Sequence, residues 1–373
     1  MIGIRADANK IIATGHVMRC ITIAKELLAL GEGVTFFVAD KESEAFIKSF
    51  CDESLKAEVV VLGTRYDHMK DEIPVLEKEL PGRKCDVLFV DSYFVSKDYF
   101  ARLNRICPVA YLDDLAKEPY PVNLVINYNG FSKSLGYEAL YSGMKGHEGS
   151  PTKILLGLEY APLRRQFYEH DIAEKTTSDK KTLKVLLAAG GGDMYGMLLA
   201  TLENAEKKGL LSSSDGRGDL DASCRPIEWE VVAGSFAPDI DKIKALEKNY
   251  SGVHIHHNVA NMAALMRSCD IAVSAAGTML TECAAVNLPA IFYQVADNQK
   301  PNTDFWPTTG GMVYAGNVAE SAEAKGAVIS RICDEIHDLS LAPEKLLNMR
   351  DSLMGITDGR GAIGIAKALI SLK

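Results

Sequence analysis

The sequence predicts an α/β protein built twice over, as two parallel-sheet domains joined through a polar segment. Three observations carry that prediction. Short apolar runs alternate with amphipathic stretches of about 10 to 17 residues, the rhythm of βαβ units. Each run is continuously apolar instead of alternating, as happens when helices cover both faces of a sheet. The rhythm breaks at residues 168–181, around Glu174-Lys-Thr-Thr-Ser-Asp-Lys-Lys181, and then restarts.

Taken in order, the N-terminal half (1–165) offers strands at Met1–Arg5, Val34–Ala39, Glu58–Leu62, Asp86–Val90, Val109–Leu112 and Leu124–Asn127, with helices near 15–30, 41–51, 71–80 and 96–106. The C-terminal half (183–355) offers Leu183–Ala188, Glu228–Ala233, Val253–His256, Ile271–Ser274, Ala290–Tyr293 and Met312–Tyr314. Whether Lys153–Gln166 joins the first core or the linker is open from sequence. Ser212–Arg225 has nothing with which to pack a core and reads as an exposed insertion. After the Asp358-Gly-Arg-Gly361 turn, residues 358–373 carry apolar positions at helical spacing, a final helix able to return to the N-terminal domain.

Composition bounds the rest. A chain of 373 residues with 47% hydrophobic content can bury two cores, since single cores stop growing near about 250 residues. The net charge of −9 leaves no broad basic surface, which argues against nucleic acid or anionic lipid as partner. No run approaches the roughly 18 apolar residues of a membrane span, and the N-terminus lacks a secretory pattern, so the expectation is a cytoplasmic protein without membrane insertion. The eight cysteines include no Cys-x-x-Cys pair and read as buried apolar residues.

Three strand-to-helix junctions bear glycine: Thr14-Gly15-His16, Ala189-Gly190-Gly191-Gly192-Asp193 and Ala275-Ala276-Gly277-Thr278. Glycine there admits a ligand close to the backbone, and free N–H groups at a helix start attract anionic oxygens. A glycine in such a place can also be no more than a turn requirement. No P-loop occurs, and Gly190-Gly191-Gly192 does not fit the Gly-x-Gly-x-x-Gly spacing, so no nucleotide cofactor is expected.

In order along the chain, Arg5-Ala-Asp7, Gly15-His16-Val-Met-Arg19, Val90-Asp91-Ser-Tyr93, Leu112-Asp113-Asp114, Gly191-Gly192-Asp193, Ser274-Ala-Ala-Gly277-Thr278 with Glu282, and Ala296-Asp297-Asn298-Gln299 resemble the UDP-2,4-diacetamido-2,4,6-trideoxy-β-L-altropyranose hydrolase family of pseudaminic acid synthesis. The likeness runs from Arg5 to Gly361, and more distantly the chain resembles MurG-type glycosyltransferases. That resemblance implies a GT-B fold, two Rossmann-like domains facing a cleft. It implies a small-molecule UDP-sugar as substrate, hydrolysed at the anomeric carbon with inversion, water as acceptor and His16 as the base. Substrate contacts would come from Arg5, Asp7, Gly15, Arg19, Asp91, Tyr93, Asn298 and Gln299. Nucleotide contacts would come from Gly191, Gly192, Val259, Gly277, Thr278 and Glu282. The chain departs from the family at Ala13 and Ala276, where glycine is usual and a methyl group narrows the approach to a ligand.

Elementary chemistry agrees with the role for His16, at the start of a helix whose positive end disfavours an imidazolium, so that the neutral ring can take a proton. A nucleoside diphosphate leaves as a stable anion, which makes a second, acidic group optional. Glu282 falls one helical turn beyond Thr278, on the same face. The bland alternatives are that His16 only caps its helix, that Glu282 only complements a dipole, and that some of Asp7, Asp91, Asp113 and Asp114 only cap turns. His254 and His256 share a strand face, but no carboxylate or cysteine lies near them in sequence, so no metal site is expected. The competing function is a UDP-sugar-dependent GT-B glycosyltransferase that passes the sugar to an acceptor hydroxyl.

Overall fold

A computed structural model describes residues 1–9, 15–51, 55–169, 182–189, 192–212, 224–234 and 237–373. Most of the polar segment at 168–181 and of the insertion at 212–225 lies outside these residues. The chain divides into two compact units, Met1–Arg164 with Gly359–Lys373, and Arg165–Asp358.

Unit 1 runs β1 (Ile2–Ala6), α1 (Gly15–Ala29), β2 (Val34–Val38), α2 (Lys41–Ser49), β3 (Glu58–Val61), α3 (Ile73–Gly82), β4 (Val87–Asp91), α4 (Lys97–Leu103), β5 (Val109–Leu112), β6 (Leu124–Asn127), α5 (Tyr137–Leu140) and β7 (Lys153–Leu156). Its strands form one sheet in the order β3-β2-β1-β4-β5-β6-β7, every pair parallel. Lys153–Leu156 thus belongs to the first core: β7 pairs with β6 as an edge strand, partly exposed and for that reason weakly marked in the sequence.

Unit 2 runs β8 (Leu183–Ala188), α6 (Met197–Lys207), β9 (Ile227–Ala233), α7 (Ile240–Asn249), β10 (Val253–His257), α8 (Met262–Ser268), β11 (Ile271–Ala275), α9 (Met279–Ala285), β12 (Ala290–Gln294), α10 (Lys300–Phe305), β13 (Met312–Asn317), α11 (Ala322–Leu341) and α12 (Pro343–Asp351). Its parallel sheet is ordered β10-β9-β8-β11-β12-β13. The expected fold class, a parallel-sheet α/β domain made twice, is what the chain adopts.

Local chemistry explains the elements. The β4 run Val-Leu-Phe-Val-Asp is buried along its whole length, covered on both faces, and each fully buried aliphatic or aromatic side chain contributes about 1.5–3 kcal/mol. Helices α2, α4 and α11 start where Asp40, Ser96 and Ser321 accept a hydrogen bond from the backbone N–H three residues on, at 2.8, 3.2 and 3.0 Å. The last helix, α13 (Gly361–Ile370), packs on α1 within unit 1. Its first residue must be glycine, because a Cβ at 361 would lie 2.2 Å from the Tyr160 carbonyl carbon and 2.3 Å from the Ala161 nitrogen and oxygen. No described helix is long and apolar enough to cross a membrane.

In both sheets strand order reverses at one place, between β1 and β4 and between β8 and β11. At such a switch point the loops diverge and leave a crevice beyond the carboxyl ends of the strands, where open α/β sheets bind ligands. Residues after β1 and β4 in unit 1, and after β8 and β11 in unit 2, therefore stand where a ligand would bind.

Candidate active site

Unit 1 builds a polar centre at its switch point. His16 lies in the first turn of α1 and Arg19 three residues on, so both project from one face of that helix. Asp91 ends β4 directly beside β1, paired in register with Ala6. His16 Nδ1 and Asp91 Oδ1 are 2.6 Å apart. Arg19 grips the same carboxylate as a fork, Nε donating to Oδ2 and Nη2 to Oδ1, both at 2.6 Å, the bidentate geometry for which guanidinium is built. The Cys20 thiol donates to Oδ2 from 3.6 Å.

The arrangement fixes the tautomer. Arg19 Nη2 also lies 3.0 Å from His16 Nδ1, but it donates to Asp91 Oδ1 at the shorter 2.6 Å, and because an ionised carboxylate only accepts, the 2.6 Å contact of Nδ1 with Oδ1 puts the ring proton on Nδ1. Nε2 is left as the basic nitrogen. The imidazole is mostly covered, with 11% of its side chain exposed, while the Asp91 side chain is fully buried. Burial pushes the Asp91 carboxyl up, yet Arg19 and His16 outweigh it and hold the group well below the ordinary carboxylate range. A buried, ionised acid against the far nitrogen of a histidine stabilises the imidazolium that proton transfer would create.

Around this core, Arg19 Nη1 donates to Asp114 Oδ2 and to the Tyr128 hydroxyl, each at 2.9 Å. The Tyr93 hydroxyl donates to Asp114 Oδ2 at 3.0 Å, and its half-exposed ring stands edge-on to His16 with centroids 4.6 Å apart. Burial first, then the Asp114 carboxylate, raise the Tyr93 phenol. Burial also pushes the Tyr128 phenol up to about 12, against the lowering effect of Arg19. Asn129 Nδ2 donates to Asp114 Oδ1 at 3.3 Å. Tyr128 and Asn129 were not singled out from sequence, although Asn-Tyr-Asn follows β6 at the same carboxyl edge.

Several expected contacts are placed differently. Arg5 and Asp7, read as facing the sugar, are buried and satisfied within the protein. Arg5 forks onto Glu72 with bonds of 2.6 to 3.0 Å and meets Asp7 Oδ2 at 2.5 Å. Asp7 Oδ1 accepts from the Ala39 N–H at 2.7 Å, and the Tyr99 hydroxyl donates to Glu72 at 2.6 Å. These residues anchor the chain leaving β1. Asp91, also read as a sugar contact, is spent on His16 and Arg19. Asp113 accepts from the Leu115 and Ala116 N–H groups and shapes a turn, whereas its neighbour Asp114 reaches the polar centre. Gly15 is exposed at the start of α1.

In unit 2, Gly192, Gly277, Thr278 and Glu282 all follow β8 or β11 at the switch point. Gly191 lies outside the described residues. Added Cβ atoms at Gly192 and Gly277 would meet nothing, so the backbone is open on both turns. Asp193 takes a left-handed backbone (φ 40°) and accepts from the Met197 and Leu198 N–H groups at 2.7 and 3.1 Å. A carboxylate therefore already fills the start of α6. Thr278 is exposed and immediately precedes α9, which carries a half-buried Glu282. Val259 is half-buried between β10 and α8, next to Asn258 with φ 49°. After β12, Asn298 is exposed, but the Gln299 side chain accepts from the Val295 N–H at 2.9 Å and secures its own turn.

No protein-family model matches the chain. It is 24% identical over 298 residues to an uncharacterized protein of Methanocaldococcus jannaschii, an alignment of 78% of this chain and 54% of that one, so the chain spans about half the length of that relative. It is 21% identical over 322 residues to the spore coat polysaccharide biosynthesis protein SpsG of Bacillus subtilis, covering 84% of this chain and 83% of that one. Among solved structures it is similar to Acinetobacter baumannii MurG, with a TM-score of 0.67, 14% identity and 99% of each chain covered. TcCGT1 in complex with UDP follows the chain with a TM-score of 0.59 and 14% identity over 100% of this chain and 99% of the other. The spinosyn rhamnosyltransferase SpnG, complexed with spinosyn aglycone, gives 0.58 and 13% over 99% and 100%. At these identities the likeness establishes the fold, which is GT-B.

Proposed function

We propose that this chain is a nucleotide-sugar-dependent enzyme in which His16 deprotonates a hydroxyl as its oxygen attacks the anomeric carbon of the sugar. The observation that carries the reading is the 2.6 Å contact of His16 Nδ1 with a buried, Arg19-gripped Asp91, which leaves Nε2 to accept the proton. In the step, the hydroxyl O–H bond breaks toward Nε2 and the new C–O bond forms. The bond from the anomeric carbon to the phosphate oxygen breaks, and its electron pair leaves on the nucleoside diphosphate. The imidazolium is balanced by Asp91, and Arg19 keeps that carboxylate from rotating away. Tyr93 and Asp114 rim the same point and would orient sugar hydroxyls, while Arg5 and Asp7 act by holding the preceding chain.

For the nucleotide, Gly192, Gly277, Thr278, Glu282 and the Val259 backbone of unit 2 are the candidates, with Glu282 suited to ribose hydroxyls. Asn298 is the exposed member of its turn and fits a sugar contact. The occupied start of α6 directs phosphate oxygens toward the turn at Gly277 and Thr278 instead.

Transfer to an acceptor hydroxyl is the better supported form of the reaction, because fold neighbours that include SpnG are named as sugar transferases and TcCGT1 holds UDP. Hydrolysis of a UDP-2,4-diacetamido-2,4,6-trideoxy sugar is the second form, favoured by the motif Arg5-x-Asp7 with Gly15-His16-x-x-Arg19. The two are separated by following UDP release from that sugar nucleotide and from UDP-N-acetylglucosamine, with and without sugar acceptors. Release that requires an acceptor supports transfer; release into water alone supports hydrolysis. Activity retained in His16→Ala refutes both.

A further inference from the structure

We propose that unit 2 carries a divalent-metal site of zinc type on the polar face of its sheet, formed by Glu228, Glu230 and His254 and supported by His256. The site is independent of the reaction assigned above. Along β9, Glu228 and Glu230 alternate with Ile227, Trp229 and Val231, which are buried in the unit 2 core, so the carboxylates point to the opposite face. Along β10, His254 and His256 likewise point away from the side taken by buried Val253. Parallel pairing sets His254 beside Glu230 and His256 beside Val232. Strand pairing thus supplies the carboxylates whose absence from the nearby sequence argued against a metal.

The geometry is that of a partly assembled ligand set. One ligand atom each from Glu228, Glu230 and His254 lies within 4.8 Å of the other two. Tetrahedral zinc with bonds of roughly 2.0–2.1 Å holds its ligand atoms about 3.3 Å apart, so rotation of the exposed His254 and half-buried Glu228 side chains has at most about 1.5 Å to close onto the buried Glu230. His256 Nε2 lies 2.6 Å from Glu230 Oε2, the orienting partner that a ligating carboxylate commonly has. One imidazole with two carboxylates suits a borderline ion such as zinc, whereas calcium and magnesium favour oxygen alone.

A cation already occupies the gap. Lys184 Nζ sits 2.8 Å from Glu228 Oε2 and 3.5 Å from Glu230 Oε1. With 37% of its side chain exposed, this lysine can swing into solvent and yield its place. Metal affinity is then set by competition with Lys184, and since β10 is the edge strand, a bound ion would clamp that edge to its neighbour.

The test is calorimetric titration of the chelator-stripped full chain with Zn²⁺, with Mg²⁺ as the control ion, and a circular-dichroism melt of each variant without metal to show that it is folded. One Zn²⁺ per chain is expected. Affinity should fall at least tenfold in His254→Ala and in Glu230→Gln, fall severalfold in His256→Ala, and rise severalfold in Lys184→Met. No zinc uptake by the wild type at about 100 μM, uptake unchanged in folded His254→Ala, or weaker uptake in Lys184→Met would each overturn the proposal.

Discussion

Replacing Asp91 with asparagine tests the proposed catalysis most directly, because it removes a charge while nearly preserving shape. At the 2.6 Å separation of His16 Nδ1 and Asp91 Oδ1, an imidazolium and a carboxylate attract by at most about 6 kcal/mol at an effective dielectric constant of about 20. A neutral amide oxygen in the same place returns about 1–2 kcal/mol. The difference, about 4–5 kcal/mol, is missing only after the proton has moved, so it falls on the transition state and corresponds to a loss in kcat of about 10³-fold or somewhat more. The asparagine NH2 must also face an Arg19 N–H whichever way it is turned, since the guanidinium donates to both carboxylate oxygens. If the NH2 takes the Oδ1 side, it donates to His16 Nδ1, moves the ring proton to Nε2 and abolishes the base. Arg19 retains Asp114, so the fold should survive. The assay is steady-state UDP release from the substrate the wild type turns over, with a thermal melt as the control for folding. A folded Asp91→Asn enzyme with kcat within about threefold of wild type, while His16→Ala is inactive, would refute Asp91 as the partner of the base.

Three further outcomes follow from the same structure. Because the folded-state value of Asp91 is depressed, its stabilisation is complete above the unfolded value near about pH 4 and is lost as pH falls through the folded value. Urea titrations should therefore show the gap in stability between wild type and Asp91→Asn holding at pH 7 and shrinking below about pH 4; a gap that widens in acid would contradict the assignment. Glu72→Gln, which breaks the buried fork on Arg5, should destabilise unit 1 by about 3–5 kcal/mol in urea unfolding, and a cost under about 1 kcal/mol would show that the network is dispensable. Gly361→Ala forces a methyl group into the Tyr160–Ala161 backbone and should cost at least about 2 kcal/mol by thermal melting, whereas an unchanged melt would mean that α13 docks otherwise.

The sequence made the architecture readable because parallel strands covered on both faces leave continuous apolar runs. Val34–Ala39 and Ile271–Ser274 fall within a residue of the observed β2 and β11. Edge strand β7 was ambiguous for the converse reason, three of its four residues being partly or fully exposed. At the site, His16, Arg19 and Asp91 were legible as members of a motif, but the service Asp91 performs was not. That depends on β4 lying beside β1, a pairing across about 85 residues that no local pattern encodes. The same holds for Arg5, whose partner Glu72 arrives from a short 3-10 turn 67 positions away. The cluster of Glu228, Glu230 and His254 was hidden likewise, since the two carboxylates precede His254 by 24 residues or more and meet it through the β9–β10 register.

The path of α13 bears on how the protein is made. The helix covers α1, yet the two are separated by more than 330 residues of chain, so a growing polypeptide leaves the first domain's hydrophobic flank bare until translation has passed residue 370. The domain synthesised first is therefore completed last. Deleting α13 alone should leave the C-terminal domain sound while producing an N-terminal one prone to chaperone capture and aggregation.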